Sequence, residues 1–172
     1  MQISITSSEQ IQVQRFPLPA TIGLPLLAIL LQSIIPKYLH FFGILDLPLL
    51  VTVFFAVARR VPIAGLLTGG MIGLVQDTLT GQAIGLMGIA KTVIGFLGSS
   101  IGVRLDVENP GSRFLMTFFF YLLHQTIYLV VARGLVNQVC GARWGWWIVC
   151  AIVNGLVSVP LFGLLDRTKV SG

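Results

Sequence analysis

The chain has 172 residues, of which 55% are hydrophobic and only 10% charged, and its mean hydropathy is +0.92. Soluble domains carry roughly 25% charged residues, so eleven Lys/Arg and six Asp/Glu cannot clothe a water-exposed surface; a soluble enzyme, a nucleic-acid-binding domain and a secreted disulfide scaffold are excluded as leading readings. The net charge of +5 comes from basic residues standing singly or in pairs between apolar runs, which is the distribution of membrane loops and not of a nucleic-acid patch.

Residues 1–15 are polar and mixed and read as a flexible cytoplasmic tail with no removable signal peptide and no lipidation motif. A spanning helix needs about 20 mostly apolar residues. Six such stretches follow, over 16–35, 41–58, 61–79, 83–103, 114–132 and 144–165. They are continuously apolar rather than alternating, which favours helices over a barrel. The expectation is an all-α polytopic membrane protein: a single six-helix transmembrane bundle over 16–167, with short loops and antiparallel neighbours.

Pro17, Pro19, Pro25 and Pro36 bracket or bend the first span. Asp46-Leu47-Pro48 interrupts the second near its start; Asp is a good N-cap and Pro is tolerated in a first turn, so the alternative to a span over 41–58 is a helix that begins at Leu47, leaving a short span and a semi-buried approach segment. Pro160 is expected to kink the sixth. One set of loop ends holds Arg15, Arg59, Arg60, Arg104, Arg113, Arg167 and Lys169; the other holds Lys37, Arg133 and Arg143. The positive-inside rule then puts both termini in the cytoplasm, and Trp144, Trp146 and Trp147 beside Arg143 at the outer interface.

Glycines recur every four residues at Gly65, Gly69 and Gly73, again at Gly81 and Gly85, and at Gly98 and Gly102. That spacing puts them on one helical face, where close backbone approach drives association in lipid. The face is expected to pack inside the bundle, the alternative being another protein's helix.

Charged groups at depth cost at least about 2.5–3.5 kcal/mol each, so the intramembrane polar residues carry the most information. Asp77 ends the third span and Lys91 lies about two turns into the fourth. Their offset allows a direct or water-bridged pair; otherwise Lys91 snorkels and Asp77 faces the outer headgroups. Asp46 is read first as a helix cap. His124 and Gln125 fall level with Asn154 when the last hairpin is folded about residue 139, and they are expected to face inward and bond one another. His124 as a proton relay is the lesser reading, since the neighbouring span offers no acidic residue at its depth. Gln32 and Gln76 are single amides of little expected weight. Cys140 and Cys150 differ in predicted depth, so no disulfide is expected, and they read as apolar filler. No His-Glu-x-x-His, facing aspartyl pair, supported nucleophile or nucleotide loop is present; no catalytic residue, metal or cofactor is expected.

Two segments together carry a resemblance to a known family. Asp46-Leu-Pro-Leu-Leu-Val-Thr-Val-Phe-Phe-Ala-Val-Ala-Arg-Arg-Val-Pro-Ile-Ala-Gly65 resembles the second helix and following turn of MreD, the rod shape-determining membrane proteins. Gly69-Gly-Met-Ile-Gly73-Leu-Val-Gln-Asp77, with Gly81 and Gly85-Leu-Met-Gly-Ile-Ala90, is similar to that family's Gly-rich helix, helix-terminal Asp and return. The resemblance covers roughly 17–167 and is sharpest over 46–102; Lys91 has no counterpart in it. It implies a non-catalytic scaffold of the bacterial elongation complex in the inner membrane, helping to control peptidoglycan synthesis and cell shape. MreC would be its direct partner, with MreB, RodA and a penicillin-binding transpeptidase in the wider assembly. It also implies a fold like the six-helix substrate-binding component of energy-coupling factor vitamin transporters, and such a vitamin-binding role is the alternative. Those components use an Ala-x-x-x-Ala-type seam on the first helix; here Ala20 and Ala28 are separated by Leu24.

Overall fold

A computed structural model describes residues 17–102, 109–137, 141 and 143–167. The expected tail over 1–15, together with Phe16, Arg104, Cys140 and Lys169, lies outside the described residues. Among those described, the protein is all-α, with six α-helices: α1 (Leu18–Tyr38), α2 (Leu47–Arg59), α3 (Pro62–Thr80), α4 (Leu86–Gly102), α5 (Pro110–Leu135) and α6 (Trp144–Asp166). A 3-10 helix, His40–Ile44, stands between α1 and α2.

Local chemistry sets these limits. Proline occupies the first or second position of α1, α2, α3 and α5, where its fixed φ is already helical and its missing N–H costs nothing. Asp46 and Asn109 cap α2 and α5 through their side chains. α3 stops at Gly81, which takes the left-handed conformation at φ 67, an energetically cheap turn only for glycine. Pro25, Pro36 and Pro160 lie inside helices.

α1, α5 and α6 are long and apolar enough to cross a membrane, and their outward faces carry exposed Leu26, Leu30, Phe119, Val130, Ile152 and Leu156. Apolar faces of this extent on helices of spanning length belong in a bilayer or against other apolar surfaces within it, and the protein is a multi-pass membrane protein. Of the other expected spans, 41–58 and 83–103 shorten to 13 residues in α2 and 17 in α4, while α3 keeps the expected length at 19 residues. Ala83 to Gly85 belong to the turn before α4, not to the helix.

α2 is the centre of the bundle. Every residue from Pro48 to Ala58 is buried, and α2 touches every other α-helix. Leu49, Leu50, Val53, Phe54, Phe55 and Val57 form its part of the core, meeting Ile94, Phe120, Ala151 and Phe162. The Phe54 and Phe162 rings lie 5.4 Å apart, tilted by 57°. Since α2 has no lipid-facing side, it does not need the length of a spanning helix.

The α3–α4 hairpin is closed by backbone on backbone. A Cβ on Gly65 or Gly69 would collide with the Gly95 or Lys91 carbonyl, and one on Gly73 would strike the Met87 carbonyl and the Gly88 backbone. The reverse holds for Gly95 against the Gly65 carbonyl. The four-residue glycine face thus packs inside the bundle. At the far end of α4, a Cβ on Gly102 would lie 2.7 Å from the Val57 carbonyl, which seats α4 on α2.

Candidate functional site

Asp77 is fully buried and organises the turn that leads into α4. Its carboxylate accepts from the backbone N–H groups of Gly85 (2.8 Å), Met87 (3.0 Å) and Gly88 (3.2 Å). Its main-chain carbonyl accepts from Gly81 and Gln82. These are the orphan donors of a helix N-terminus, and an anion there also meets the favourable end of the helix dipole. The expected placement of Asp77 against the outer headgroups, or paired with Lys91, is therefore corrected. A carboxylate close in sequence to three free N–H groups is captured by them first. Gly85 permits this turn through its φ of 102.

Lys91, held by the interlocked glycines, points to α2 instead. Its ammonium lies 3.0 and 3.2 Å from the two Asp46 carboxylate oxygens and 3.3 Å from His124 Nε2. Lys91 is 0% exposed, and the Asp46 side chain 14%. An ammonium has three N–H donors and no acceptor, so these three contacts use its full capacity. His124 Nε2 must then accept, which assigns the ring proton to Nδ1. Among the described residues Nδ1 has no hydrogen-bond partner. The acidic residue missing from the sequence reading of His124 is thus Asp46, reached through Lys91.

Asp46 also caps α2, its Oδ1 accepting from Leu49 N–H at 3.0 Å. The segment before it is irregular, and its polar backbone would be costly away from water. Two side-chain amides supply the partners. Asn154 accepts from Asp46 N–H at 2.9 Å and donates to the Ile44 carbonyl at 2.8 Å. Gln32 donates to the Leu45 carbonyl at 2.8 Å and accepts from Leu47 N–H at 3.2 Å. Non-helical backbone at such depth is tolerated where protein encloses it. Gln32, given little weight from sequence, is thus part of the site; the signal was an amide on the helix preceding a break with unmatched backbone groups.

The expected mutual bonding of His124, Gln125 and Asn154 is corrected as well. His124 meets Lys91, Gln125 donates to Tyr121 Oη at 2.8 Å, and Asn154 holds the segment before α2. They stand at similar height, but the Asp46–Lys91 pair occupies the space into which His124 and Asn154 both point. That height is about halfway along the two longest helices: Asn154 is about 15 Å from the start of α6 and His124 about 16 Å from the end of α5, at 1.5 Å per residue. α2 therefore starts halfway up the bundle and runs to one end only.

The structure brings Asp46, Lys91, His124 and Asn154 together. Asp77, with Gly85, forms a separate anchor, and Gly65, Gly69 and Gly73 form the seam that positions Lys91. Chemically the cluster is a nearly neutral, closed clamp tying α2, α4, α5 and α6, with its charges spent on one another. Where α5 begins and α6 ends, Arg113 and Asp166 pair across the two helices. Among the described residues no group of three His, Cys, Asp or Glu is placed to hold a metal ion. Compared with protein-family models, curated proteins and solved structures, the chain matches none.

Proposed function

We propose that this chain is a non-catalytic scaffold of the bacterial cell-elongation complex, of the MreD type, that binds MreC within the cytoplasmic membrane. The observation that carries the reading is the way polar groups are spent. Lys91 and Asp77 are buried and paired internally, while the outward faces are apolar. A protein built so meets its partners through helix faces in the bilayer rather than through an aqueous cleft. The residues that carry the family resemblance support the same reading, because Asp46, Gly69, Gly73 and Asp77 are those around which α2, α3 and α4 are assembled.

On this reading the bundle crosses the membrane six times. The 3-10 helix and the segment to Asp46 fill the half of the bundle that α2 leaves open, the termini face the cytoplasm, and the fold is of the vitamin-transporter substrate-binding kind. The test is purification of the tagged chain in mild detergent, with mass spectrometry of what accompanies it. Capture of MreC, lost with Asp77→Leu or Gly69→Leu, and loss of rod shape on depletion are expected. Normal rods after clean deletion without a second copy, and no MreC in the purified fraction, would refute the proposal.

A further inference from the structure

A groove runs between α1 and α3, floored by Phe55 of α2 and walled by Pro25 and Ile29 on one side and Ile72 and Val75 on the other. It opens sideways: Ile22, Leu26 and Met71 on its rim are 59, 45 and 67% exposed. From Thr21 to Ile29 it runs for about 12 Å of helix, close to the depth of one leaflet, half of a hydrocarbon core of about 30 Å.

A cation closes one end. The Arg59 guanidinium donates to Thr21 Oγ1 at 2.8 Å and lies 5.4 Å over the Phe55 ring, so it is pinned directly above the groove. Arg59 is half-buried, and neither ion pair among the described residues involves it. A guanidinium carries five N–H donors in a fork suited to phosphate oxygens. Arg60 adds a second charge at the same end, where α1 begins, α2 ends and α3 begins.

We propose that this groove seats one acyl chain of an anionic phospholipid, with its phosphate held by Arg59. Length matches the chain to the groove, and charge matches the headgroup to the guanidinium. An apolar helix would satisfy the walls and leave the cation unmatched.

The test is native mass spectrometry of the full chain released from nanodiscs of equal phosphatidylglycerol and phosphatidylcholine. The wild type should retain one phosphatidylglycerol per chain in preference to phosphatidylcholine. Arg59→Gln should lower that retention about tenfold, the equivalent of one charge-assisted hydrogen bond, and Arg59→Lys should fall between. Met71→Trp, at the exposed rim, should reduce retention of both lipids while leaving the thermal midpoint unchanged. Equal retention of the two lipids by the wild type would overturn the proposal. So would undiminished phosphatidylglycerol in both Arg59→Gln and Met71→Trp, or a lipid-free dimer as the main species.

Discussion

Replacing Lys91 with Met tests the clamp most directly. The substitution keeps the length of the side chain and its apolar stem, and removes the ammonium that meets both Asp46 oxygens and His124 Nε2. It leaves a carboxylate that is 14% exposed with only its cap bond to Leu49. Breaking a buried pair from one side costs about 3–5 kcal/mol, whereas exchanging both charges for neutral groups is often nearly neutral. Asp46→Asn preserves the cap, since Asn and Asp are equivalent there. The double variant Asp46→Asn/Lys91→Met should therefore recover most of the loss. For a chain of this size each kcal/mol shifts the midpoint by roughly 2–4 °C, so the single variant should melt on the order of 10 °C lower in detergent. The assay is the thermal midpoint of the wild type, both single variants and the double variant, closed as a double-mutant cycle. A Lys91→Met midpoint within about 1 °C of wild type, or strictly additive losses, would refute the claim that this pair holds the bundle.

Other outcomes follow from the same geometry. Gly69→Ala and Gly73→Ala each push a methyl into a backbone carbonyl or amide and should cost about 1–3 kcal/mol or more, as overpacking does; Gly134→Ala, with open space around it, should be neutral or slightly stabilising, and equal midpoints for all three would contradict the packing. Asp77→Leu removes the acceptor of three N–H groups and should lower both midpoint and yield, by about 1–3 kcal/mol for each buried donor left without a partner, while Asp77→Asn, which keeps one acceptor oxygen, should lose less; the two are compared in the same melt. Cysteine at Leu156, which is 60% exposed on α6, and at Val93 should be unreachable by a membrane-impermeant maleimide in intact vesicles, and rapid labelling of both would remove the bilayer from the account.

How far the sequence foretold this arrangement differs from one residue to the next. The cap and first turn of α2 were legible because their signals are local: Asp46 caps, Pro48 fits the first turn, and no neighbour is needed to read them; the choice between a start at 41 and one at Leu47 was not, since it depends on whether the segment before Asp46 can be buried. The glycine seam was legible because a period of four is a property of one helix. The partner of Lys91 was not. Sequence spacing gives the height of a residue along its helix but not the direction it faces around it, and two carboxylates stood at reachable heights. Asp77 was claimed by the adjacent turn, which left Asp46. Asp46 reaches that depth only because the chain breaks before it, and whether such a break can be buried depends on Gln32 and Asn154, contributed by two other helices. The heights of His124 and Asn154 were right for the same reason that their contact was wrong: height alone did not show that the ion pair stood between them.

The halfway start of α2 has a consequence for biogenesis. Its 13 residues extend about 20 Å, too short a stretch to settle alone in a bilayer, and its leading carboxylate meets its cation 45 positions later in the chain. As the polypeptide emerges, the stretch after α1 has nowhere finished to go. Its burial is complete only once α3 and α4, which bring Lys91, are in place beside it. A chain truncated anywhere between Asp46 and Lys91 carries the Asp46 carboxylate without its cation.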